Sequence, residues 1–224
     1  NGIAAGCLLA KEGLKVLDLE RNESVGGLAS AFHFKGCTFN VGASAMIFWM
    51  KEMEDLLEPR KYGWETISGI TTQGTWLSYP NEKPLVLYSD PEKAMEYVRS
   101  EFGDQALDGM ARLFDFFGAF STGIHTAMLN PPVSIGKIVD SMPSVQAQDA
   151  LRRCFYSSIY DVAYEFFPDP KTANAIRGMI GTWACDGFWG GPMTPGTAFS
   201  AATHLAASLG QAAQLGITKG GIGN

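Results

Sequence analysis

Near the start of the chain a few glycines and one acid are spaced as a phosphate and ribose site would need them. Gly2 opens a run of small and helix-forming residues that reaches Glu12, with Gly6 and Leu9 on one side of it. Gly13 stands at a C-terminal cap position, and Leu14 to Leu19 form an apolar segment of strand length closed by Glu20. A dinucleotide site needs a glycine where the helix N-terminus meets a phosphate, and a carboxylate at the end of the next strand to accept from ribose hydroxyls. With Gly2 as the last glycine of a GxGxxG fingerprint, Glu20 lies eighteen positions on, in register for that acid. This register predicts a helix over 2–12, a strand over Lys15–Leu19, and Glu20 at the strand's C-terminal end facing the crevice. The acid would also repel a 2′-phosphate on that ribose. Taken alone, the same pattern describes a surface acid beyond any βα unit.

The residues that follow narrow the reading. Leu19 to Gly27 carries Glu20, Arg21 and the pair Gly26-Gly27, and Cys37 to Ala43 carries Phe39-Asn40-Val41-Gly42. Together they resemble the extended FAD signature of the phytoene-desaturase and amine-oxidase superfamily, in which a glycine pair follows the acid and an aromatic-acid-x-Gly tetrad comes after. The resemblance implies FAD as cofactor, with Glu20 on the adenosine ribose and Arg21 beside it. It implies that Gly26 and Gly27 let the backbone approach the pyrophosphate and flavin side, and that Ser30 and Gly42 lie near the cofactor. The tetrad's usual acid is Asn40 here. Amine oxidases place Arg two after the acid and directly after the glycine pair, where this chain has Asn22 and Leu28, so the resemblance is closer to the other branch. Phe188 to Ala198 and Lys219-Gly220-Gly221-Ile222-Gly223 are similar to the phytoene-dehydrogenase-like branch, where a GGxG loop opens a helix beside substrate and flavin. By that likeness Gly220 and Gly221 lie close to both.

Positioning such a site requires an α/β element first. Phe32–Phe34 and Thr38–Val41 read as short strands about Gly36, Ala45–Leu57 can be helical, and Trp64–Tyr88 reads as several short strands. Beyond that, Asp90-Pro91-Glu92 is a helix start. Leu107, Met110, Phe114 and Phe117 then recur at helical spacing, as do Leu151 to Phe166, Ala173 to Trp183 and Ala198 to Leu209. The expected fold class is therefore α/β, a truncated Rossmann-like FAD-binding fold with an α+β substrate domain rich in helices. The expected division is a partial FAD-binding domain at 1–62, a substrate domain at 63–218, and a return toward the flavin and substrate at 219–224. An opening Asn1 in place of Met and a glycine-rich last stretch lead to the expectation that both ends are cut.

The bulk composition excludes other classes. The chain has 224 residues, 46% apolar and 18% charged, enough to bury a core. A net charge of -6 with no basic block offers nothing to nucleic acid or an anionic membrane. The most apolar stretch, Leu113 to Met128, is interrupted by Asp115, His125 and two glycines, so no transmembrane segment is expected and any membrane contact would be peripheral. The four cysteines never reach CxxC spacing and are read as reduced thiols, which suits a cytoplasmic or organelle-matrix protein rather than a secreted one. His33, His125 and His204 share no metal-ligand spacing, so no metal is assigned, and GxSxG is absent.

In a flavin enzyme the cofactor takes the hydride while the protein supplies orientation and dryness, so no catalytic residue is named from the sequence. The resemblance implies an FAD-dependent oxidoreductase removing hydride from an apolar small molecule, as in phytoene-type desaturation. The phenylalanines of 114–120 and 155–167 fit plain packing or the lining of an apolar substrate tunnel. Two rivals remain. One is a non-catalytic binding module of the same fold, as in GDP dissociation inhibitors. The other is a plain NAD-dependent dehydrogenase, in which Gly26-Gly27 would have no role.

Overall fold

A computed structural model describes residues 1–43, 51–67, 72–76, 82–185, 189–209 and 218–223. The chain divides into two compact units, one of Asn1–Gly69 with Gln214–Asn224 and one of Ile70–Ala213.

The first unit opens with α1 (Gly2–Lys11), as the sequence predicts to within a residue, and Gly6 is its buried position. Gly13 follows with φ 81° and donates its N–H to Ala10 O at 3.0 Å, a glycine cap that lets the chain reverse without a Cβ clash. The strand expected over Lys15–Leu19 does not form: residues 14–20 carry no ladder among the described residues. Apolar run length can propose a strand, but a ladder needs a neighbour for its N–H and C=O groups, and here Leu17 and Leu19 stand 81% and 88% exposed. After a 3₁₀ turn at Gly27–Ala29, β1 (Ala31–Phe34) and β2 (Cys37–Asn40) form an antiparallel hairpin with Ala31 opposite Asn40 and Phe34 opposite Cys37. Its two turn residues, Lys35 and Gly36, both have positive φ, which matches the right-handed twist of the strands. Next come α2 (Lys51–Leu57) and a 3₁₀ turn at Pro59–Tyr62. The part of the expected 45–57 helix before Lys51 lies outside the described residues.

The unit is closed by a segment distant in sequence. Thr218 bridges Thr66, Lys219 N donates to Glu65 O at 2.9 Å, and Ile222 N donates to Asn40 Oδ1 at 3.0 Å. Asn40, the departure from the tetrad's usual acid, thus uses its amide oxygen to seat this segment on the hairpin.

The second unit holds all the buried apolar side chains of the described residues, from Leu85 to Ala202. It begins with β3 (Thr72–Trp76) and β4 (Leu85–Tyr88), antiparallel, with an irregularity between Thr72 and Gly74. The other strands expected between 64 and 88 fall partly outside the described residues. Among the described residues seven helices follow: α3 (Pro91–Phe102), α4 (Asp104–Leu129), α5 (Ile135–Asp140), α6 (Val145–Tyr156), α7 (Ile159–Phe166), α8 (Pro170–Cys185) and α9 (Thr197–Leu209). The long α4 packs against α3, α6 and α9, and α8 packs against α9. Phe117, Phe120, Leu151, Ile159, Ile176 and Ile180 are fully buried between them.

One correction concerns the helical series from Leu151 to Phe166, which is two helices. Ser157 and Ser158 interrupt it with extended backbone, and Ser158 Oγ accepts from Asp161 N at 3.1 Å as the N-cap of α7. The start at Asp90 is as the sequence predicts: Asp90 Oδ1 accepts from Glu92 N at 2.9 Å and Lys93 N at 3.1 Å. Asp90→Ala should therefore cost about 1 kcal/mol, read as a lower urea midpoint with unchanged slope. A midpoint equal to that of the wild type would show that the cap contributes nothing.

Candidate functional site

A cleft of about 1230 Å³ lies wholly within the first unit. One wall is the N-terminal turn of α1, with Asn1, Gly2 and Ile3. No side chain caps that end and no acid sits in its first turn. Its first N–H groups and the positive end of its dipole are therefore open to an anion. The segment after α1 contributes Asp18, Leu19 and Glu20. Gly6 makes this approach feasible: a Cβ there would collide with the Asp18 carboxylate, so the bare glycine lets the segment lie against the helix.

Glu20 is exposed, and its Oε1 accepts from Asn22 N at 2.8 Å. A carboxylate offers about four lone-pair sites, so this bond orients the group and leaves acceptor capacity for a ligand. Gly26 and Gly27 line the same cleft, with φ 120° and 58°. They begin the 3₁₀ turn, whose carbonyls are bonded by Ala29 N to Gly26 O at 3.0 Å and by Ser30 N to Gly27 O at 3.1 Å. The structure thus brings Gly2, Glu20, Gly26 and Gly27 onto one surface.

The other residues singled out in the sequence do not line it. Arg21 is exposed and does not line the cleft, while Ser30 braces the glycine turn, its Oγ donating to Gly27 O at 2.7 Å. Gly42 sits where a Cβ would press on Leu28 at 3.1 Å, and a Cβ at Gly221 would lie 3.0 Å from Asn40 Oδ1. Gly42 therefore serves packing of the hairpin exit in this structure. Gly221, with neighbouring Gly220, shapes the closing segment, whose Thr218 and Lys219 do reach the cleft.

Residues the sequence reading missed complete the cleft: Asp18 beside Glu20 in the chain, and Tyr62, Trp64 and Glu65 after the second 3₁₀ turn begins. The alternation of Asp18 and Glu20, which puts both on one side of an extended chain, was the available signal for the first. Lys219 Nζ pairs with Glu65 at 2.9 Å, which holds the Glu65 carboxyl below the usual carboxylate range and the ammonium above its own. Lys11 reaches Glu58 at 3.0 Å and Leu56 O at 2.5 Å. Lys61 and then Lys11 hold the Glu58 carboxyl below its ordinary value.

The thiols divide by environment. Cys7, on α1, lines the cleft and is exposed, as is Cys37 on the hairpin, whereas Cys154 is buried in the second unit and burial pushes its thiol up to about 12. Among the described residues no three His, Cys, Asp or Glu side chains gather as metal ligands, and no helix is long and apolar enough to cross a membrane.

Residues 1–58 match the family described as an NAD(P)-binding Rossmann-like domain. Among curated proteins none matches the chain. The match is consistent with the FAD/NAD(P)-binding oxidoreductases, and a helix-rich chain with few strands agrees with an α/β fold at a coarse level.

Proposed function

We propose that the intact protein is an FAD-dependent oxidoreductase that removes hydride from an apolar small molecule, by phytoene-dehydrogenase-like desaturation or oxidation. The observation that carries this reading is the meeting of Gly2, Glu20, Gly26 and Gly27 on one cleft whose helix terminus is uncapped. The residues fit the dinucleotide. The first turn of α1 would receive the pyrophosphate, Glu20 would accept from the ribose hydroxyls, and the side-chain-free turn at Gly26-Gly27 would let the cofactor approach backbone. Bound there, FAD would supply the hydride acceptor. What this chain contributes is binding, orientation and a carboxylate that selects against a 2′-phosphate. In this proposal the second unit, with its helical core, belongs to the substrate side, and Gly220 and Gly221 shape the segment that returns beside the flavin.

A second reading, an NAD-dependent dehydrogenase, has the description of the matched family in its favour. It shares the ribose acid and differs in the need for Gly26-Gly27.

Titration of the intact protein with FAD, NAD and NADP separates the two. FAD should bind most tightly and NADP least, and Glu20→Ala should weaken FAD by about 1.5–3 kcal/mol, the worth of hydrogen bonds to a charged acceptor. FAD should also shield Cys7 from a maleimide while Cys37 stays reactive, and Cys154 should label only on unfolding. Tight NAD binding with no FAD binding would replace the flavin reading by the nicotinamide one. Unprotected Cys7 in the FAD-saturated protein would place the cofactor outside this cleft.

A further inference from the structure

We infer that Tyr62 is the platform on which a planar ring of the bound dinucleotide stacks, an inference that rests on the reading of the cleft as a dinucleotide site. The aromatic residues lining the cleft are Tyr62 and Trp64. Trp64 is already engaged: the Arg60 guanidinium lies 4.8 Å over its ring, and its indole N–H donates to Thr218 Oγ1 at 3.4 Å. Tyr62 instead is 81% exposed while facing the cleft, so its ring offers most of its surface to whatever enters.

That exposure belongs to a turn fixed at both ends. Glu58, before it, has φ 50° and ψ 46°, a left-handed conformation that costs stability in a residue with a side chain, and Gly63, after it, has φ 90°. Lys61 N donates to Glu58 O at 3.0 Å and Trp64 N to Pro59 O at 3.2 Å, closing the turn on itself. The Glu58 carboxylate is held by Lys11 and Lys61, and Lys11 also donates to Leu56 O, so the turn is tied to the last turn of α1. A strained and repeatedly tethered turn that leaves a large aromatic ring uncovered in a cleft is suited to receive another ring. Adenine and isoalloxazine both offer the required flat π-face, and base-on-aromatic stacking accepts either.

The test uses the intact protein with FAD, NAD, ADP and FMN as probes and Tyr62→Phe, Tyr62→Leu and Tyr62→Ala as variants. Phe keeps the ring and should bind as the wild type does. Leu and Ala should lose on the order of tenfold in affinity for the dinucleotide, the loss expected from one stacked base. A matching loss with ADP assigns the ring to adenine, and a loss with FMN but not ADP assigns it to isoalloxazine. Leu keeps apolar volume, so a loss in Leu but not Phe is not explained by filled space, and thermal unfolding midpoints should stay unmoved because Tyr62 is exposed. Wild-type affinity in the Leu and Ala variants, with Glu20→Ala still impaired, would overturn the stacking role alone. A wild-type protein that binds neither FAD nor NAD would overturn the dinucleotide reading and this inference with it.

Discussion

Gly27→Val in the intact protein is expected, on the proposed FAD reading, to strip flavin during desalting, and to do so more completely than Glu20→Ala. Gly27 has φ 58°, where an L residue crowds its Cβ against its own carbonyl at a cost of about 1–2 kcal/mol, and a β-branched one is worse placed still. Its carbonyl is also the acceptor for both Ser30 N and Ser30 Oγ, so relief of that strain by rotation would undo the turn that forms this part of the cleft wall. Apart from the adjacent residues no neighbour lies within 4 Å of a Cβ built there, so the penalty of the substitution comes from the backbone conformation and not from a protein clash at Cβ. Glu20→Ala, by contrast, deletes acceptors and leaves the backbone alone. Flavin absorbance per mole of protein after desalting measures both. Equal, undiminished flavin in the two variants would remove the glycine turn and the acid from the cofactor site together.

Phe117→Ala should be the most destabilising single change in the second unit, at about 3–5 kcal/mol. Phe117 is fully buried, its ring lies edge-on to Phe116 at 5.2 Å and to Phe120 at 6.1 Å, and the long helix that carries it packs against α3, α6 and α9 among others. Truncation leaves a cavity that rigid helices on several sides cannot collapse around, so the cavity cost adds to the lost transfer energy. Phe117→Leu keeps most of the volume and should cost less than about 1.5 kcal/mol. Helical circular dichroism followed through urea unfolding reads both changes. A loss under about 1 kcal/mol for the alanine variant would contradict the position of this ring at the centre of the core.

Local chemistry made parts of this protein legible from sequence. Gly13, Gly36 and Asp90-Pro91 each satisfy a backbone requirement within a few residues, and each does in the structure what its type predicts. The Lys15–Leu19 strand failed because ladder formation depends on a partner that no local pattern specifies. The break at Ser157-Ser158 does have a local signal: Ser158 and Asp161 have capping-box spacing, and Asp161 N donates to Ser158 Oγ. Hydrophobic periodicity runs straight through such a junction because both helices turn an apolar face to the same core. In the candidate site, Gly2, Glu20, Gly26 and Gly27 could be selected together because one motif links them along the chain. Tyr62 could not, since it reaches the cleft through a turn whose strain depends on Glu58 and on a lysine forty-seven positions away.

The closing contact of the first unit sets an order of events in folding. Trp64 and Thr218 meet across 154 positions, with the second unit inserted between them. Bringing those ends together in an unfolded chain costs about (3/2)RT ln n, roughly 4–5 kcal/mol, before any contact is returned. The intervening helices build a core of their own, in which α4 and α8 both pack on α9, so that core is complete only once α9 has been made. Once that core has formed the loop is no longer a free chain, and the entropic cost of bringing Thr218 to Ile222 onto Thr66 and Asn40 falls. Folding of the insert is thus expected to precede closure of the first unit, and Phe117→Ala, which weakens the insert's core, should slow that closure although the residue lies outside it.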